Sequence, residues 1–273
     1  MALHLRKCRI PIAAALVTPL FTPLPATAAR ASTAQRAASC TARSDPALAT
    51  RLSRDIRAAL AARRGTVSVA VHDPATGLSC ALGSSHRYDT ASAAKVVIME
   101  AALRRARDWG RGLTAWERRR IRPMIIRSDN TVADRLRLLG ALTAARVRAL
   151  LSPRSRAYGL KQLNEVRRDQ RWGVPAGMPR GSKAHIKNGW LPWSTHGRRV
   201  YSIGVFTGPG RARAYRVVVL SHDSPTMRYG VRTIERVAQA VHRALNKGRT
   251  AGQGLPDGSV PPEAPPEQDA ANR

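Results

Sequence analysis

Strand-like alternation of apolar and polar residues occurs near both ends of this chain, and a long segment of helical periodicity lies between them. The predicted strands cover residues 66–71, 78–82, 199–207 and 215–222. The predicted helical segments cover residues 46–64, Ser92 to about Val166, and 229–246. Strands that cluster at the two ends, rather than alternating with helices, favour an α+β fold over a doubly wound α/β fold.

The first short motif with chemical content is Ser92-Ala-Ala-Lys95, which precedes an apolar helical run at residues 96–103. A serine hydroxyl needs a nearby base to act as a nucleophile. On a helix, the two side chains lie one turn apart on the same face. The helix N-terminus would also favour an oxyanion formed at Ser92. The alternative is a serine cap followed by an ordinary surface lysine.

Ser128-Asp129-Asn130 follows an amphipathic segment at residues 116–126 and precedes a predicted helix at residues 131–139. All three residue types are favoured at helix N-caps, so a simple capping role is the alternative to a chemical one.

Lys187-Asn188-Gly189 opens the C-terminal group of strands and is followed by Trp190. We expect these residues on an edge strand that lines a pocket, where Gly189 permits close approach of a substrate backbone. A type I′ hairpin turn is the competing interpretation, because Asn-Gly is a favoured pair there. Trp190 would form a pocket wall or simply pack.

In this order, the three motifs resemble the S-x-x-K, S-D-N and K-T-G elements of the serine β-lactamase and penicillin-binding protein superfamily, with Asn188 in place of the threonine. The resemblance covers residues 40–246 as one domain. It implies a β-lactamase-like α+β fold, in which an antiparallel sheet is flanked by helices and an all-helical insertion separates strands 2 and 3.

The resemblance also implies roles for individual residues. Ser92 would be the nucleophile, Lys95 its base and Ser128 the proton donor to the leaving nitrogen, while Lys187 would contact Ser128 and anchor the substrate carboxylate. The implied substrate-binding residues are Asn130, Asn188, Gly189 and Trp190, the last through its backbone N–H as an oxyanion donor beside that of Ser92.

The implied function is a secreted serine hydrolase that acts through a Ser92 acyl-enzyme on a β-lactam or a D-Ala-D-Ala-type amide. Two alternatives stay open. One is a penicillin- or peptidoglycan-binding protein with a persistent acyl-enzyme, and the other is a noncatalytic cell-wall-binding module.

Class A β-lactamases carry a glutamate, in an E-x-x-L-N loop, that activates the deacylating water. Here Leu163-Asn164-Glu165 resembles the end of that loop, which places the glutamate position on Leu160. Leucine cannot act as a base, so we expect slow deacylation. Glu165 is the candidate replacement base, with a surface or loop-pinning role as the alternative.

Residues 1–28 are typical of a secretory signal peptide, with basic residues, an apolar stretch and a small-residue cleavage site. Its removal leaves Cys40 and Cys80, for which a disulfide is expected in an oxidising compartment. Residues 247–273 are rich in Gly, Pro and acidic residues and should be disordered. We therefore predict a secreted, extracellular protein, with cell-wall association as one form of this location.

The net charge is +30, from 47 basic and 17 acidic residues. The arginines are spread along the helices without an aromatic-interleaved basic patch, so we expect nonspecific affinity for anionic cell-wall polymers and no specific nucleic acid. The cysteines and histidines show no metal-ligand spacing. The sequence thus predicts a monomer without cofactor, metal or membrane span that binds a small molecule or a peptidoglycan peptide.

Overall fold

The computed structural model describes residues 39–89, 91–131, 153–192, 197–208 and 214–246. The predicted signal peptide, the predicted tail and most of the predicted helix at residues 131–139 lie outside these ranges.

The core of the fold is an antiparallel sheet of six strands with the spatial order β1-β3-β2-β6-β5-β4. The strands are β1 (Ser39–Thr41), β2 (Thr66–Asp73), β3 (Leu78–Leu82), β4 (Lys183–Pro192), β5 (Arg198–Thr207) and β6 (Ala214–Ser224). The strand β4, which contains Lys187, is therefore an edge strand, as expected. Asn188 and Gly189 both pair with residues of β5, which excludes the hairpin-turn interpretation of this dipeptide.

Five α-helices accompany the sheet in the described part of the chain. They are α1 (Pro46–Leu60), α2 (Ala94–Asp108), α3 (Ala115–Ile126), α4 (Pro153–Asn164) and α5 (Met227–Leu245). Helices α1 and α5 pack on each other, and α5 also packs on β5 and β6. Helices α2, α3 and α4 contact one another, and α4 contacts β4. The predicted α+β fold, with a helical insertion between two groups of strands, is confirmed.

Two details of the prediction differ from the structure. The short strand β1 was not predicted, because three residues carry too little alternation to be recognised. Helix α1 ends at Leu60 rather than at residue 64, since Ala62 adopts a positive φ of 57° that an α-helix cannot accommodate.

Helix α1 begins where its sequence supplies a cap. The Asp45 carboxylate accepts a hydrogen bond from the Leu48 amide at 2.8 Å, and Pro46 occupies the first turn, where no N–H is required. The apolar residues then recur at helical spacing and are buried: Leu48, Leu52, Ile56 and Leu60. This stripe faces α5, whose own buried stripe includes Val231, Ile234, Val237 and Val241.

A disulfide joins Cys40 and Cys80, as predicted. The two residues lie directly opposite each other on β1 and β3. The bond therefore attaches the three-residue edge strand β1 to the sheet. A strand this short forms too few backbone hydrogen bonds to hold its position on its own.

Arginines cover aromatic rings on the helices. Trp109 and Trp116 each lie four residues from an arginine, a spacing that places the pair on one helix face. The guanidinium carbons lie 3.6, 3.7 and 4.2 Å from the ring centroids in the pairs Arg63–Tyr229, Arg120–Trp116 and Arg105–Trp109. Part of the large positive charge thus has a packing role. No helix in the described ranges has the length and apolar character needed to cross a bilayer.

His242 is a buried histidine of α5 that the fold keeps neutral. Its Nε2 lies 2.8 Å from the carbonyl oxygen of Val174, which can only accept, so Nδ1 accepts from the Tyr215 hydroxyl at 2.7 Å. Burial lowers the pKa of His242 to about 4 from its ordinary 6.5.

We predict that His242 makes folding stability sensitive to mild acid. Below about pH 6.5 this histidine binds a proton in the unfolded chain but not in the folded chain. Its contribution to the free energy of unfolding is therefore fully present above that pH. The contribution is lost as the pH falls to about 4, by roughly 3 kcal/mol in total. Urea unfolding at about pH 7 and about pH 5 should show this slope, and it should be smaller in His242→Gln. Glu117, whose pKa the Arg111 guanidinium lowers to about 2, contributes only at more acidic pH. An unchanged slope in His242→Gln would show that another group is responsible.

Candidate active site

Ser92 lies between the sheet and the helical layer, in a single 3₁₀ turn at Ala91–Ala93 that leads directly into α2. Ala91 has a positive φ of 43°, which is unusual for a residue with a Cβ. Such backbone strain concentrates at functional sites. The sequence predicted that Ser92 and Lys95 open a helix, and the structure places Ser92 just before the first α-helical residue.

Lys95 is the centre of a hydrogen-bond network that unites the first two motifs. Its Nζ lies 2.8 Å from Ser92 Oγ, 2.5 Å from Asn130 Oδ1, 2.9 Å from the Ser128 carbonyl oxygen and 3.3 Å from Ser128 Oγ. The residue is only 4% exposed. The ordinary surface lysine considered from the sequence is therefore excluded.

Ser128 is held in an unusual conformation at the end of α3. Its φ is +60°, a left-handed value that non-glycine residues rarely adopt. The preceding helix closes through hydrogen bonds from the amides of Arg127 and Asp129 to the carbonyl of Pro123. This tight turn directs both the carbonyl and the hydroxyl of Ser128 to Lys95.

Lys187 brings the third motif into the same network. Its Nζ donates to Ser128 Oγ at 2.8 Å and to the Asn188 carbonyl at 2.8 Å. The side chain is fully buried on β4. Burial, and to a lesser degree the nearby charge of Lys95, lowers the pKa of Lys187 well below its ordinary value.

Ser128 Oγ therefore lies between two lysine amines. Two adjacent ammonium groups in a buried site repel each other, which favours the neutral amine at one of them. A neutral amine can accept a proton, and a hydroxyl between two amines can pass one from one side to the other. The arrangement can thus move protons between Ser92, Lys95, Ser128 and Lys187.

Gly189 is the point at which β4 meets the turn that holds Ser92. A Cβ at this position would lie 3.0 Å from the backbone nitrogens of both Ser92 and Ala93, and 3.1 Å from the Ala91 Cβ. The glycine was predicted to allow close approach of a substrate. In the structure it allows close approach of the chain's own backbone.

We predict that Gly189→Ala slows any reaction at Ser92 by about 10–100-fold, because a displacement of about 1 Å in an active site can cost 10²-fold. The rate of covalent labelling of Ser92 would measure this. Gly112→Ala is the matched control, since no atom lies within 4 Å of its added Cβ. Equal labelling rates for both variants would mean that the turn tolerates the shift.

These three motifs thus meet at one point between the sheet and the helices. The sequence pattern that defines the Beta-lactamase enzyme family matches residues 51–123, which include Ser92 and Lys95. The structure is similar to a point mutant of the last common ancestor of Gram-negative bacteria class A β-lactamase, with a TM-score of 0.59 and 23% identity over 72% of this chain and 100% of that chain. The fold is β-lactamase-like.

Other structures of β-lactamases show the same likeness. A β-lactamase from Xanthomonas campestris pv. campestris has a TM-score of 0.56 and 17% identity, over 76% of this chain and 100% of that chain. The TLA-1 extended-spectrum β-lactamase has a TM-score of 0.59 and 16% identity, over 72% of this chain and 98% of that chain. A comparison with curated proteins gives no match. At these identities the likeness establishes the β-lactamase-like fold, and the chemistry must be argued from the residues.

Asn188 and Trp190 lie on the other face of β4 from Lys187 and Gly189, because side chains alternate along a strand. The Asn188 amide is buried and donates to the carbonyl oxygens of Gln170 and Trp172, both at 2.9 Å. The Trp190 ring packs edge-on against Trp172, with centroids 5.9 Å apart. This placement favours the packing alternative for Trp190. The Asn188 side chain connects β4 to the segment that contains Gln170 and Trp172, on the face opposite Lys187.

Glu165 follows α4 and lies on the side of that helix that faces α3. Its carboxylate forms an ion pair with Arg122 and lies 3.9 Å from the Lys161 ammonium. The next residues are fixed to α3 as well, through the hydrogen bond from the Arg167 amide to the Ile126 carbonyl at 3.2 Å. These contacts favour the loop-pinning role over that of a base.

Leu160, the position predicted for the missing glutamate, lies within α4, and its carbonyl oxygen is 2.7 Å from His185 Nδ1. Of the other two acids between the second and third motifs, Asp169 pairs with Arg167 at 2.9 Å, and Asp134 lies outside the described residues. Among the described residues, no group of three or more His, Cys, Asp or Glu side chains could hold a metal ion.

Three residues beside the network were assigned no role from the sequence: Tyr88, Asp89 and Arg199. Tyr88 and Asp89 lie three and two residues before Ala91, where the Ser92 turn begins, and Asp89 pairs with Arg199 of β5. The two partners are 110 residues apart in the chain. No local motif marks such a pair, so only the fold could reveal it.

Proposed function

We propose that this protein is a serine hydrolase that opens a β-lactam or a D-Ala-D-Ala-type amide through an acyl-enzyme at Ser92. The observation that carries the proposal is the continuous set of hydrogen bonds from Ser92 Oγ through Lys95 Nζ and Ser128 Oγ to Lys187 Nζ. A nucleophile, a base and a proton donor within hydrogen-bond reach of one another are what amide acyl transfer requires.

The reaction follows from these contacts. When Lys95 is the neutral amine of the lysine pair, its Nζ takes the Ser92 proton as Oγ attacks the amide carbonyl carbon, which becomes tetrahedral and carries an oxyanion. The backbone N–H groups near the start of α2 would stabilise that charge. As the carbon–nitrogen bond breaks, Ser128 Oγ protonates the leaving nitrogen and recovers a proton from Lys95 or Lys187. The product of this half-reaction is an ester on Ser92.

The sequence predicted that Lys187 would contact Ser128 and anchor the substrate carboxylate, and its position supports the first of these roles. Because its Nζ is fully buried between Ser128 Oγ and the Asn188 carbonyl, its first role is in the proton relay. Lys187 Nζ can contact a substrate carboxylate only if the bound substrate places that group beside Ser128. Asn130 holds Lys95 in place through its Oδ1, which leaves its amide nitrogen as a donor to the substrate.

We further propose that the acyl-enzyme is hydrolysed slowly. The ester needs a water activated by a base, and the Glu165 carboxylate is engaged by Arg122 and Lys161 on the α3 side of α4. Absence of a positioned base costs about 10²–10⁴-fold. This ion pair favours the second candidate function, a penicillin- or peptidoglycan-binding protein in which the acyl-enzyme persists.

The proposal includes secretion. The Cys40–Cys80 disulfide supports an oxidising compartment, and the predicted signal peptide at residues 1–28 supports export. Outside the cell, the net charge of +30 would favour weak association with anionic wall polymers.

The test is the intact mass of the mature protein after short and long incubations with benzylpenicillin, beside Ser92→Ala. We expect one penicilloyl adduct on the wild-type protein and none on the variant. An adduct on Ser92→Ala would mean that the nucleophile is another residue. With neither an adduct nor loss of penicillin, the β-lactam proposal is wrong, and the noncatalytic wall-binding alternative would remain.

A further inference from the structure

The segment that leads to Ser92 crosses one face of the sheet. It comprises residues 83–89, called the strap below, and it starts at the end of β3. Val200 packs against Gly230 of α5, so the alternating residues Arg199 and Tyr201 lie on the opposite face, away from α5. The strap lies on that second face.

One hydroxyl on β2 holds the strap at both of its ends. Ser68 Oγ donates to the Gly83 carbonyl oxygen at 2.6 Å and accepts from the Tyr88 hydroxyl at 2.9 Å. Gly83 fits closely here, since a Cβ would lie 2.7 Å from Ser68 Oγ. The strap therefore cannot slide along β2 without breaking both hydrogen bonds.

The Tyr88 ring continues the contact across the next two strands. Its centroid lies 5.2 Å from the His222 ring on β6 and 5.8 Å from the Tyr201 ring on β5, the latter in an edge-on arrangement. Burial raises the pKa of both Tyr88 and Tyr201 above the ordinary tyrosine value, so the two hydroxyls stay protonated at any physiological pH.

The strap ends at an ion pair with β5. The Asp89 carboxylate contacts the guanidinium of Arg199, whose side chain is only 10% exposed, while that of Asp89 is 63% exposed. Loss of one partner from an ion pair that contains a mostly buried charge is costly, so this pair favours the strap position that keeps it. Two residues beyond Asp89, the Ala91 turn meets β4 at Gly189.

From these contacts we infer that Asp89 and Arg199, assisted by Tyr88, are positioning residues for Ser92: they fix the strap across β2, β6 and β5 and thereby set Ser92 Oγ against Lys95 Nζ. The inference rests on the proposed function for its kinetic effect. It concerns residues that touch neither the substrate nor the reacting atoms. The strained φ of Ala91 fits this account, since a turn of high energy persists only where its flanks are held.

The first experiment measures acylation of Ser92 by a fluorescent penicillin under single-turnover conditions, which separates the acylation rate constant from the dissociation constant of the initial complex. We expect Asp89→Asn to lower the rate constant about 10–100-fold with little change in the dissociation constant, because the fault is in the geometry. Asp89→Glu, which keeps the carboxylate, should recover most of the rate.

Asp55→Asn is the matched control, since Asp55 pairs with Arg54 at 3.3 Å on the exposed side of α1. An Asp89→Asn rate equal to that of Asp55→Asn would overturn the inference. A Tm measurement on each variant confirms that the labelled protein is folded.

The second experiment needs no activity and separates this inference from the proposed function. Hydrogen–deuterium exchange of the peptide that covers residues 84–93 should be faster in Asp89→Asn than in the wild type, with α5 unchanged. If the wild-type protein is not labelled by penicillin, the proposed function fails while faster exchange still supports the strap. Unchanged exchange at residues 84–93 would show that Asp89 does not hold the strap, whatever the labelling shows.

Discussion

Replacement of Lys95 by methionine should lower the acylation rate constant for penicillin by about 10²–10⁴-fold, because it removes the base that takes the Ser92 proton. The structure gives Lys95 Nζ that position directly, 2.8 Å from Ser92 Oγ. Methionine has a similar length and fills the same buried space, so the change removes the amine with little loss of packing. Pre-steady-state labelling, followed by intact mass, measures the rate.

Lys161→Met provides the matched control. Lys161 is a lysine of α4 with a 68% exposed side chain, and its Nζ lies 3.9 Å from the Glu165 carboxylate. Its variant should acylate at the wild-type rate. A Lys95→Met protein that is folded and acylates as fast as this control would transfer the role of base to Lys187, which also reaches Ser128.

The positions that could be predicted from the sequence are those whose partners are local or whose motifs are short. Ser92 and Lys95 are three residues apart, so a helical turn brings them together wherever the helix lies. The predicted contact of Lys187 with Ser128 depended on the resemblance, since 59 residues separate them. The strand periodicity located β2, β3 and β6, because their buried residues alternate, and β5, where they alternate from Ser202 onward.

What the sequence could not supply was the direction of side chains on β4 and the partners of isolated charges. Asn188 was assigned to substrate, but strand alternation turns it beneath the sheet, where Gln170 and Trp172 present carbonyl oxygens. Likewise, a carboxylate such as Glu165 looks like a free base in the sequence. Only the packing of α4 on α3 shows that Arg122 is beside it.

Because the Glu165 carboxylate is held in that ion pair, we expect slow hydrolysis of the penicilloyl adduct on the wild-type protein. Its rate should be about 10²–10⁴-fold lower than that of an acyl-enzyme in which a positioned general base activates the water. Glu165→Gln should leave the lifetime of the adduct unchanged, because its carboxylate already serves Arg122 and Lys161. The decay of the adduct mass after removal of free penicillin measures both lifetimes.

Asp169→Asn is the control, since Asp169 is also an exposed carboxylate paired with an arginine, Arg167. Both variants should lose the adduct at the wild-type rate, and the Glu165 variant should show only the small loss of stability expected from one partly exposed ion pair. Rapid decay in the wild type and in Asp169→Asn, with a long-lived adduct in Glu165→Gln alone, would contradict this argument. In that case Glu165 must leave Arg122 when the substrate binds, and the protein would be an efficient β-lactamase rather than a penicillin-binding protein.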